Sequence, residues 1–76
     1  MTLDKLPLGQ EAMITAVGGE GALRLRLLDM GLIPKTTIRV EKIAPLGDPI
    51  ELLVRDYALS LRKEDARNIS VEVRQA

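Results

Sequence analysis

The sequence predicts a mainly β protein: a small, strongly bent antiparallel sheet or barrel of about five strands, with one short helix after the first strand. Three observations carry this reading. Short apolar runs of period two recur along the chain, separated by Gly, Pro and Asp. Helical spacing over more than one turn is confined to residues 22–30. The core must be aliphatic, because the 76 residues include one Tyr and no Phe or Trp. A chain of this length is read as one domain, 1–76, burying only roughly 60% of its unfolded surface.

Taken in order, TLDKLPLGQE reads as an irregular arm with Leu3, Leu6 and Leu8 available to pack down. AMITAV (12–17) is the first strand, closed by the turn residues Gly18, Gly19 and Gly21. On a helical wheel over 22–30, Leu23, Leu27 and Met30 share one face and are read as core. Leu25 and Leu28 form a second ridge, with Arg24 between the two. Gly31 is placed just past the helix end, where a positive φ suits glycine, and Pro34 prevents a restart. TTIRVEKIA (36–44) points Ile38 and Val40 inward, but Ile43 breaks the parity. A β-bulge near Glu41–Lys42 would restore it.

PLGDP connects to IELLVR (50–55), where Ile50, Leu52 and Val54 alternate with Glu51, Leu53 and Arg55. YALSLR (57–62) points Tyr57, Leu59 and Leu61 inward. KEDARN (63–68) is a short polar helical turn, and ISVEVR (69–74) is the last strand, with Ile69, Val71 and Val73 inward.

Composition excludes several function classes. Formal charge is zero, and each half balances: four basic and four acidic residues in 1–38, seven of each in 39–76. Neither nucleic acid nor an anionic membrane finds a basic field here. No apolar run approaches the about 20 residues of a membrane span, and the first residues, MTLDKLPLGQ, lack the long apolar core of a secretion signal. A cytoplasmic location is expected. With no Cys and no His, there is no disulfide, no thiol nucleophile and no imidazole base. We expect no enzyme activity, no cofactor and no metal site. Met13 and Met30 read as core filling, and Asp48 and Glu51 as solvated carboxylates. GGEG (18–21) lacks the spacing of a phosphate-binding loop and reads as a turn. One Tyr cannot line an aromatic groove for proline-rich peptides.

Protein binding is what remains. The second ridge, Arg24, Leu25 and Leu28, either lies beneath the N-terminal arm or faces a partner or a second copy of the chain. Pro45 and Leu46, apolar residues in an exposed connection, join it as candidate partner-binding residues.

LRLRLLDMGLIPKT, followed by APLGDPIELLVRDYALSLRKEDARNISV, resembles the FeoA family, with three blocks in order: the helix ending DMGLIP, the APLGDP connection and the LSLRKEDA run. The resemblance implies an SH3-like barrel. It also implies a cytosolic adaptor or regulator of FeoB, a membrane ferrous iron transporter with a cytoplasmic GTPase region. The chain departs from the family pattern at Lys35 and Asp56, where glycine is usual, and at Leu25, where a polar residue is common. Asp tolerates the left-handed region better than most residues; for Lys35 the expectation is a turn that does not need positive φ. Leu25 leaves room for a homo-oligomer. An alternative is a free-standing module resembling the C-terminal SH3-like domain of iron-dependent repressors. An RNA-binding small barrel is disfavoured by the zero charge and the lack of stacking aromatics.

Overall fold

In the computed structural model, which describes residues 1–74, the chain runs through β1 (Glu11–Val17), α1 (Gly21–Asp29), β2 (Thr37–Ile43), β3 (Ile50–Val54), β4 (Tyr57–Leu61), α2 (Lys63–Ala66) and β5 (Ile69–Val73). A 3₁₀ turn, Leu3–Lys5, precedes β1. Every strand pairs antiparallel with its neighbour in the order β4-β3-β2-β1-β5. The expected elements are all present, with ends shifted by one or two residues.

Period two puts the core where it belongs. Ile38, Val40, Ile50, Leu52, Val54, Leu61, Ile69 and Val71 line the inner face and are buried with Leu27 and Leu32. Each such side chain contributes about 1.5–3 kcal/mol on leaving water. The expected bulge exists: Val40 pairs with Leu52 and Lys42 with Glu51, which leaves Glu41 unpaired. Ile43 is nonetheless 39% exposed, because it lies at the far end of β2 beyond the packed interior. A second irregularity, between Ile14 and Ala16 of β1, shifts the inward set from Ala12 and Ile14 to Val17.

The end of α1 explains the DMGLIP block. The Gly31 N–H donates to Leu28 O (3.0 Å) and the Leu32 N–H to Leu27 O (3.2 Å), with Gly31 at φ 92°. These two bonds, with Leu27 and Leu32 buried against the core, form a Schellman cap. Pro34 and Lys35 then carry the chain back to β1, where the Lys35 N–H donates to Ile14 O (2.7 Å).

Several expectations are corrected. Tyr57 shares the inward face with Val54, its partner on β3, but lies at the rim rather than in the core. It is half-exposed, and its hydroxyl donates to Met30 O at the end of α1. An added Cβ on Gly31 would collide with that hydroxyl, so the glycine also makes room for the tyrosine. Leu59 is only partly buried, and Val73 is exposed because it lies past the end of the core. Of the α1 residues expected in the core, Leu27 is fully buried, while Leu23 and Met30 pack at its margin. Leu3 and Leu6 are buried as expected, but Leu8 is 63% exposed. Lys35 does adopt positive φ (75°), and in the β3–β4 turn it is Arg55 (φ 56°), not Asp56, that does so.

Candidate protein-docking surface

The connection Ala44–Pro49 is a built structure rather than a slack loop. Gly47 N–H donates to Ala44 O (2.7 Å), closing a four-residue turn with Pro45 at its second position and Leu46 at its third. Below it, the Ala44 N–H donates to Pro49 O (3.1 Å). The Asp48–Pro49 peptide is cis. Asp48 reaches across to α2, where its Oδ1 accepts from the Lys63 N–H (2.9 Å) and satisfies one of the unpaired donors of that helical turn. The APLGDP and LSLRKEDA blocks are therefore two halves of one contact.

The result is a leucine carried at the tip of a hydrogen-bonded turn. Leu46 is 96% exposed at the tip. Beside it lies an open groove of about 320 Å³ with apolar walls of Ile43, Pro45 and Pro49, and with Lys42, Glu51 and Ser60 along its polar side. The sequence singled out Pro45 and Leu46 but missed the groove. Ile43, brought back into phase by the bulge but left half in water at the end of β2, supplies one apolar wall of that groove.

The α1 candidates divide. Leu25 is 61% exposed, as the wheel places it. Leu28 is partly buried and packs against the core, so the two do not make an open ridge. Arg24 folds back along the helix, its Nε–H donating to Val17 O (3.2 Å) at the end of β1. The N-terminal arm packs instead on α2 and β5, and it leaves Leu25 bare. Arg26 and Asp65 pair at 3.1 Å and tie α1 to α2.

Polar groups inside the fold are few. The Thr36 hydroxyl is buried without a protein partner. Asp4, almost wholly buried, accepts from the Thr2 hydroxyl and faces Arg67 Nε at 3.8 Å. Among the described residues there is no group of three or more His, Cys, Asp or Glu placed to hold a metal ion. Nor, among them, is any helix long and apolar enough to cross a membrane.

Comparison with known proteins agrees with this architecture. The chain is 45% identical over 73 residues to the Fe(2+) transport protein A/Fe(2+) transporter FeoB fusion protein of Porphyromonas gingivalis; the match covers 96% of this chain and 9% of the fusion. A FeoA-like protein from Clostridium acetobutylicum superposes over the whole chain, and over 88% of its own, with a TM-score of 0.92 at 37% identity. Stenotrophomonas maltophilia FeoA, solved with zinc, superposes with a TM-score of 0.83 at 28% identity, over 95% of this chain and 89% of its own. It is described as a prokaryotic SH3 domain protein and a candidate activating factor for bacterial ferrous iron transport. The fold is thus SH3-like, as the resemblance implied. The family model for the FeoA domain matches residues 1–73, and the chain belongs to the FeoA family.

Proposed function

We propose that this protein is a cytoplasmic adaptor of FeoB-type ferrous iron uptake, binding the transporter's cytoplasmic GTPase region and modulating transport. The P. gingivalis fusion carries this reading, since a relative 45% identical to this chain is covalently joined to the transporter. Fusion keeps two domains at high effective concentration, which benefits a pair that must meet repeatedly. The same observation favours a transporter over a repressor as the partner.

The contact is assigned to Leu46 and the groove beside it, lined by Ile43, Pro45 and Pro49. The backbone of the turn is already ordered by hydrogen bonds, so binding has only the leucine side chain left to order, and less of its burial is offset. Leu25 has Arg24 and Arg26 as neighbours in sequence and a partly buried Leu28 one turn on. It is an isolated exposed leucine of the kind that most surfaces carry.

The test is a titration of the full chain against the isolated cytoplasmic region of the cognate transporter, with GDP, with a non-hydrolysable GTP analogue and without nucleotide. Saturable binding in at least one nucleotide state is expected. Absence of binding in all three, and to the whole transporter in detergent, would overturn the adaptor reading.

A further inference from the structure

The two edges of the sheet are treated differently. The outer edge of β5 is covered by the chain's own start: Thr2 bridges Ser70, and the Val71 N–H donates to Met1 O (2.8 Å). The outer edge of β4 has no such cover among the described residues, and Tyr57–Leu61 contains no charge, no proline and no bulge. Those are the features by which free edges avoid pairing.

Register shows which groups are free. Val54 and Tyr57 close the two-residue turn Arg55–Asp56, so they are a hydrogen-bonded pair, and Leu52–Leu59 and Ile50–Leu61 follow in the same phase. The Ala44 N–H to Pro49 O bond on the other side of β3 agrees with the alternation. Ala58 and Ser60 therefore turn their N–H and C=O groups outward. Alongside runs an open groove of about 510 Å³ bordered by Arg26, Met30, Ser60, Arg62 and Asp65, which gives an added strand room.

We propose that this edge pairs antiparallel with the β4 edge of a second copy of the chain, about a two-fold axis at Leu59. In that register Ala58 faces Ser60 of the other copy twice, and each pair exchanges two backbone hydrogen bonds. The flanking residues decide the register. Asp56 falls opposite Arg62 on both sides of the axis, giving two opposite-charge pairs. Centring the axis on Ala58 would set Asp56 against Ser60, and centring it on Ser60 would set Arg62 against Ala58. Only the Leu59 register sets Asp56 against Arg62, one residue beyond each end of β4; the next pair out, Arg55 and Lys63, belongs to the turn and to α2 rather than to the ladder. The pairing is isologous and closes on itself, joining two five-stranded sheets into one without exposing a new edge. It makes no use of Leu46.

Sedimentation velocity of the full chain from micromolar to millimolar concentration tests this. Wild type is expected to move from 8.4 kDa toward twice that mass. Asp56→Arg brings two arginines face to face on each side of the axis, and Arg62→Asp brings two aspartates face to face. Each variant should weaken self-association at least about tenfold, since both pairs become repulsive. An equimolar mixture of the two variants restores both opposite-charge pairs in the mixed dimer and should associate like wild type. Should a variant fail to fold, amide exchange on the wild type decides: Ala58 and Ser60 should become protected as concentration rises, while Leu59, already bonded to β3, should not change. A wild type that stays at 8.4 kDa would overturn self-pairing and leave the edge to a strand of another protein. So would variants that associate like wild type, or a mixture no better than its components.

Discussion

Lys35 is held at φ 75° because it sits between two backbone bonds to Ile14. Its own N–H donates to Ile14 O, and the next residue, Thr36, accepts from the Ile14 N–H at 2.8 Å. A side chain in the left-handed region costs roughly 1–2 kcal/mol, while glycine costs about 0.5–1 kcal/mol through the freedom it adds to the unfolded chain. The lysine side chain is exposed and makes no hydrogen bond or ion pair among the described residues. Lys35→Gly should therefore stabilise the protein by about 0.5–1 kcal/mol. Urea unfolding would show this as a higher midpoint at unchanged slope, and a lower midpoint would mean that the lysine makes a favourable contact. The expectation of a turn that needs no positive φ fails here, because a lysine in a turn is silent about its φ. Gly31 was legible by contrast, since a glycine directly after a helical leucine pattern has a specific structural use.

At the scale of elements, Asp48 joins the 44–49 connection to α2. Its carboxylate accepts from the first helical N–H of a four-residue turn that could not persist alone. Asp48→Ala should cost about 1 kcal/mol, lowering the melting temperature by about 4–8 °C in a domain of this size. Asp48→Asn, which keeps an acceptor, should lose much less. Equal losses would show that charge, not the bond, matters. Strand positions were readable because one face must be apolar, and five period-two runs left little choice. The misplacements occur where that constraint lapses. Val73 and Ile43 are the last residues of their strands; each sits opposite a buried residue, Ala12 and Ile50, yet keeps one side in water. Tyr57 begins an edge strand and finds a partner for its hydroxyl on α1, which a strand pattern cannot show. The irregularity in β1 was invisible because Ala16 is compatible with either face.

At the scale of the whole molecule, an aliphatic core in 76 residues leaves a thin stability margin. Any test of the docking surface must therefore separate lost binding from lost folding. Leu28 cannot serve, because it packs against the core and a charge there would destabilise the fold. Leu46 can, because it is 96% exposed on a turn held by backbone bonds and by Asp48. Leu46→Glu should change stability by no more than about 0.5 kcal/mol. It should weaken binding to the transporter's cytoplasmic region at least about tenfold, which corresponds to about 1.4 kcal/mol. Leu25→Glu should change both quantities little, since no contiguous apolar surface surrounds it. Unfolding curves and titrations of the same three proteins decide the matter. A Leu46→Glu variant that folds and binds like wild type would remove the turn from the interface. A loss confined to Leu25→Glu would move the contact to α1. Loss of binding only in Leu46→Glu, at unchanged stability, would place the docking surface on the apolar residue that the fold carries on a hydrogen-bonded turn and leaves almost wholly in water.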